Sequence, residues 1–230
     1  MSFSYGVYDL IKYCFFGAPK NALKWRLCPL SDWNPTSSDT EQTQAKEDNI
    51  FNTFKISVIG ETLTGSTSIC KRFVHDEINV EAVSSMGPDC WAKEINVENQ
   101  IVNLQIWNIR GFGYSAGKAE ISLERDWKPI KEYVCKRAHV VILVFDVTSA
   151  KTFLNVPKYL EYLDLDNRVI KILVGNKIDL KEKKVVSTED ATQFAEKNDM
   201  RFFETSAVKN LNIDEMFDII SKTLLKSKSG

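Results

Sequence analysis

An α/β fold, with a mostly parallel six-stranded sheet covered by helices on both faces, is what this 230-residue sequence predicts. Three observations carry that expectation. Short apolar runs such as VVILVFDVT and VIKILVGNK alternate with stretches of helical periodicity. Such runs suit strands buried on both faces. Their carboxyl ends bear Gly60, Asn108, Asp146, Asn176 and Thr205, at the edge where sheets of this kind bind ligands.

The elements follow in order. FKISVIG (Phe54–Gly60) reads as a buried strand ending in glycine, and Ser66–Val74 as a helix. CWAKEINVE and QIVNLQIWNI read as a hairpin-like strand pair separated by Asn99. Three more strands are expected from VVILVFDVT, VIKILVGNK and RFFET. Between and after them come helices at LERDWKPIKEYVCKR, Ala150–Leu163, TEDATQFAEKN and IDEMFDIISKTLLK. The amino-terminal part differs in texture. Residues 1–35 form an aromatic-rich extension that includes Phe3, Tyr5, Trp25 and Trp33, with an amphipathic helix expected before the Gly17-Ala18-Pro19 break. Residues 36–50 are polar and acidic and read as a linker, so the domain proper is expected over 51–230.

Composition narrows the function classes. The 30 basic residues against 31 acidic ones give no field that would attract nucleic acid or a membrane. The five cysteines are irregularly spaced with no CxxC pair, which points to a reducing, intracellular compartment. No run of about 18 apolar residues is present to span a membrane, and the amino terminus lacks the pattern of a secretory signal.

Three motifs carry chemistry. GETLTGST (Gly60–Thr67) lies between the first strand and the first helix, with the glycine spacing of a phosphate-binding loop. NKID (Asn176–Asp179) follows the fifth strand, where the Asp179 carboxylate can accept two N–H donors from a guanine edge and Asn176 and the stem of Lys177 would brace the base. ETSA (Glu204–Ala207) follows the sixth strand, where Ser206 and Ala207 can place backbone N–H groups at the guanine oxygen. Each tetrapeptide alone is weak. Both in order at strand ends, about 30 residues apart, form a strong signal.

With these motifs the chain resembles the Ras superfamily of small GTPases, and most of all its Rab branch. LQIWNIRG is similar to that family's LQIWDTAG, and VFDVTSAKTFLNV, KILVGNKIDL and FFETSA follow its pattern closely. The resemblance spans roughly Phe54–Lys226 and implies the three-layer P-loop small GTPase fold, a GTP or GDP ligand with Mg2+, and a nucleotide site made from Gly60, Gly65, Ser66, Thr67, Ser68, Arg110, Gly111, Asn176, Lys177, Asp179, Ser206 and Ala207. It also implies Thr67 and Ser85 as the magnesium ligands.

The departures from the family pattern are as informative. Ser66 stands where the phosphate-contacting lysine belongs, a loss expected to cost about 2–5 kcal/mol of binding. Leu63 and Thr62 occupy positions that the family keeps small. Asn108 replaces the aspartate that holds magnesium through water, and a neutral amide is a weaker partner for a dication. Phe112 replaces the glutamine that orients the attacking water, so no catalytic residue is assigned. Ile78 and Val208 replace the base-packing aromatic and the lysine of the family's SAK motif. Arg110 could supply the missing charge, or fill the pocket and keep nucleotide out. The segment 111–138 is longer than the family's by about a dozen residues, the kind of insertion that builds a contact surface. The last cysteine is Cys135, so no prenyl anchor is expected on the sequence as it stands.

The expected function is a hydrolysis-deficient pseudo-GTPase. It would act as a guanine-nucleotide-binding or nucleotide-free scaffold, an interaction subunit that meets protein partners through residues 1–35 and 111–138, in the cytoplasm or peripherally on an organelle surface. The alternative is an active GTPase switch in vesicle trafficking or signalling with atypical phosphate contacts.

Overall fold

The strand β1 (Thr53–Gly60) sits in the middle of a six-stranded sheet, with the other strands on either side of it. The computed structural model describes residues 52–77, 89–109, 131, 135 and 137–229. The other strands are β2 (Asp89–Val97), β3 (Gln100–Ile109), β4 (Val140–Asp146), β5 (Ile170–Asn176) and β6 (Arg201–Thr205), in the order β2-β3-β1-β4-β5-β6. Only β2 and β3 pair antiparallel; β3, β1, β4, β5 and β6 run parallel. Their carboxyl ends therefore share one edge, with Ile59 beside Ile109, Gly60 beside Val144, Asp146 beside Asn176, and Asn176 beside Thr205. From β1 the chain goes one way to β3 and the other way to β4, which makes that edge a topological switch point, the usual place for a ligand.

Both faces of the sheet are covered. Every residue of β4 is buried, and successive side chains go to opposite faces. Val140, Ile142 and Val144 join Ile56, Leu104, Phe73 and Phe217 under the helices α1 (Ser66–His75) and α5 (Ile213–Ser229). Val141, Leu143 and Phe145 join Ile59, Ile109 and Leu173 on the other face, under α3 (Val156–Leu163) and α4 (Thr188–Lys197). The Phe73 and Phe217 rings stack 3.8 Å apart, which locks α1 to α5. On the outer pair, Trp91 packs on the α1/α5 side, and Trp107 on the opposite side, with the Lys55 ammonium 4.8 Å from its ring centroid.

Local chemistry sets the element ends. Ser187 caps α4 by accepting the Asp190 N–H, and Glu189 and Asp190 favour that end of the helix dipole. Two expectations need correction. The hairpin turn is Glu98-Asn99, both residues left-handed at φ 51° and 63°, with Val97 paired to Gln100, so Glu98 belongs to the turn and not to the strand. The helix expected over Ala150–Leu163 is two pieces, α2 (Ala150–Leu154) and α3, joined at Asn155. Pro157 has no N–H to give the carbonyl four residues back, so the helix breaks there. The extension 1–35, the linker 36–50, and most of 111–138 with its expected helix lie outside the described residues.

Two thiols mark the core. Burial pushes the Cys135 thiol up to about 11 and raises that of Cys70 as well. The thiolate is the reactive form, so both should resist a disulfide reagent at pH 8 until the domain unfolds. Peptide mapping after labelling checks this; rapid native labelling of Cys70 would mean that α1 opens.

Candidate functional site

The loop between β1 and α1 is built on two glycines. At Gly60 a Cβ would come within 2.5 Å of Thr64 Oγ1, the hydroxyl that donates to the Glu61 carbonyl at 2.8 Å and closes the loop. Gly65 caps α1 with φ +87°, a backbone state that disfavours any side chain, and a Cβ there would lie 2.3 Å from Asn176 Nδ2. No side chain caps α1, so its first backbone N–H groups face outward without helical partners. Such an end suits an anion.

Asn176 joins three loops. Its side chain is 2% exposed; Nδ2 donates to the Thr64 carbonyl at 2.9 Å, while Oδ1 accepts from Thr205 Oγ1 and the Ala207 N–H, each at 3.3 Å. The asparagine expected to brace a base thus ties the phosphate-type loop to the NKID and ETSA loops. Beside it, Lys177 is left-handed at φ 73° and its ammonium lies 2.5 Å from Asp146 Oδ2. Asp146 Oδ1 in turn accepts the Thr148 N–H and hydroxyl. Ser206 Oγ donates to Asp179 Oδ1 at 2.6 Å, which fixes one oxygen of the carboxylate and leaves the other for a ligand donor. From α1, Arg72 Nε donates to the Ala207 carbonyl at 3.1 Å and holds the ETSA loop from behind. Val208, after it, is 58% exposed. This half of the site is preorganised to accept N–H groups at Asp179.

The other half is chemically different. Ser66 is buried and carries no charge. Thr67 Oγ1 accepts a 2.9 Å hydrogen bond from Asn108 Nδ2. Asn108 is fully buried, and its Oδ1 has no hydrogen-bond partner among the described residues, a state that costs about 1–3 kcal/mol when nothing satisfies it. A magnesium ion wants oxygen ligands with negative charge among or behind them. Here the two side chains brought together are neutral and bonded to each other, so the described residues bring no charge of their own to the ion. Among the described residues no group of three or more His, Cys, Asp or Glu side chains is placed to hold a metal.

Sequence reasoning missed one network entirely. Glu61, the second residue of the loop, is buried, and its carboxylate accepts from Asn155 Nδ2 at 2.8 Å and from the Tyr159 hydroxyl. Burial, then the hydrogen bond to Glu61, raises the Tyr159 phenol pKa. The break at Asn155 and the spacing of four residues to Tyr159 put both on one side of the kinked helix. That pairing was the signal available in the sequence.

Leu63 stands at the loop tip with φ 71° and a side chain 76% exposed. A leucine held left-handed costs about 1–2 kcal/mol and gains no burial here. Leu63→Gly is expected to raise Tm by about 2–4 °C, measurable by thermal unfolding; a drop would mean that the leucine makes a contact that compensates the strain. Of the expected site residues, Gly60, Gly65, Ser66, Thr67, Ser68, Asn176, Lys177, Asp179, Ser206 and Ala207 lie in the loops and helix start at this edge. Ile78, Ser85, Arg110, Gly111 and Phe112 lie outside the described residues.

Comparison with known proteins agrees with this geometry. Residues 55–226 match the model of the Ras family. The chain is 32% identical over 182 residues to the tobacco "Ras-related protein Rab11B", covering 78% of each. It is 32% identical over 178 residues to the "GTP-binding protein YPT1" of Saccharomyces cerevisiae, covering 76% of this chain and 81% of the yeast protein. Similarity to the Arabidopsis thaliana "Ras-related protein RABA2a" is 33% over 169 residues, 73% of this chain and 72% of the plant protein.

Proposed function

This chain belongs to the Ras family as a Rab-like small GTPase, and from that premise we propose that it retains a guanine site, has lost hydrolysis, and works as a nucleotide-holding scaffold for protein partners. The hydrogen bond from Asn108 to Thr67 carries this reading. Where a carboxylate would gather a cation and its water, this chain has an amide engaged with the neighbouring hydroxyl. The base-recognising half, by contrast, is held by Asn176, Ser206 and Arg72. Phe112, in place of a water-orienting glutamine, supports the same reading from the sequence.

Partner contact is assigned to residues 1–35 and 111–138 on their sequence alone. Aromatic anchors such as Trp25 and Trp33 suit a protein interface. The thiols Cys70, Cys90 and Cys135 suit a reducing compartment, cytoplasmic or at an organelle surface. Among the described residues no helix is long and apolar enough to cross a membrane.

Phosphate release from GTP under single-turnover conditions tests the loss of hydrolysis. The expected rate equals that of buffer. Release that Asp179→Asn abolishes would restore the reading of an active switch.

A further inference from the structure

The polar groups of the site divide unevenly between the two ends of a nucleotide. At the base end, Asp179 is oriented by Ser206, and its loop is tied to the other two by Asn176. Toward the phosphates, the described residues offer outward backbone N–H groups of α1 and neutral side chains, Ser66, Thr67 and Asn108. Among the described residues, the cations near the site have other tasks. Lys177 is paired with Asp146, and Arg72 with Asp76 and the Ala207 carbonyl. The loop itself contains a buried carboxylate, Glu61.

Asn108 decides the role of the cation. An amide is neutral whichever way it is turned, its N–H donor and its carbonyl oxygen exchanging places. In the arrangement seen, that donor points at Thr67 Oγ1, the oxygen a dication would use. Binding the ion there would mean giving up this bond, and the amide, even when turned to present its carbonyl oxygen, brings the cation no negative charge in exchange.

Resting on the reading that a guanine site is retained, we propose that this chain binds guanine nucleotides without a divalent cation, by recognition of the base, so that the number of phosphates matters little. The ligand class is any guanine nucleotide, mono-, di- or triphosphate. GTP and GDP would then not be told apart through the metal.

Displacement of a fluorescent GDP analogue from the full chain tests this, with GMP, GDP and GTP as competitors, in magnesium chloride and in excess EDTA. The expected result is a Kd for each that changes by less than about threefold between the two buffers, with all three nucleotides within about tenfold of one another. Asn108→Asp should introduce a magnesium dependence of about tenfold or more, and Asp179→Asn should abolish binding in both buffers while the circular dichroism stays native. Tightening of GDP or GTP by more than about tenfold in magnesium, for the unaltered chain, overturns the proposal and leaves the guanine site standing. No displaceable binding in either buffer, by a natively folded chain, overturns the guanine site together with the proposal.

Discussion

The double variant S66K/N108D is expected to bind GTP in magnesium about thirtyfold to several-thousandfold more tightly than the unaltered chain. The lysine would place a full positive charge at the start of α1, where the unpaired N–H groups already favour an anion. Aspartate at position 108 would convert the Thr67 contact from an amide donor into an acceptor with negative charge. The lysine alone restores about 2–5 kcal/mol of charge-assisted contact, which sets the lower bound of the expected gain. Equilibrium competition against a fluorescent GDP analogue measures the change. An affinity that does not move would mean that the phosphate end is obstructed, and Leu63→Gly in the same background would then separate a blocked loop tip from other causes.

Asn176→Ala has the largest expected effect on the fold. The substitution removes one donor and one acceptor that together serve Thr64, Thr205 and Ala207, all in the interior. Buried groups left without partners raise the cost above that of the bonds themselves, to about 2–4 kcal/mol. For a domain of this size, Tm should fall by about 5–15 °C. Asn176→Asp makes a sharper control. It keeps an acceptor for Thr205 and Ala207 but loses the donor to Thr64 and buries a charge, so it should do no better than alanine. A small loss in both would mean that the three loops are held by the sheet register alone.

The strands were legible because burial on both faces leaves no polar residues to disguise them. VVILVFD became β4 at the expected place, and NKID and ETSA marked the ends of β5 and β6. The hairpin was legible as an element, but its turn was not, because Glu98 accepts a left-handed backbone that its own type disfavours. The break at Asn155 could have been taken from Pro157, which the apolar periodicity around it concealed. What could not be read were contacts between side chains far apart in the chain. Glu61 meets Tyr159 across 98 positions and Asn176 meets Thr64 across 112. Such meetings depend on strand register and helix pitch to within an ångström, which the order of residues alone does not specify. The same limit applies to Asn108. Its identity announced a lost carboxylate, but the donor aimed at Thr67 emerges only when β3 is laid beside β1.

The two indoles of the outer strand pair have an optical consequence. Trp91 and Trp107 lie on opposite sides of the sheet, the first against the α1/α5 core and the second beside the Lys55 ammonium. A nearby cation shifts indole emission, so the two fluorophores should differ in colour and in their access to quenchers. With Trp25, Trp33 and Trp127 changed to phenylalanine, the remaining pair becomes a built-in spectroscopic ruler. Loosening of one layer would change one emission band and leave the other in place, so that light alone reports which side of the molecule a partner or a denaturant reaches first.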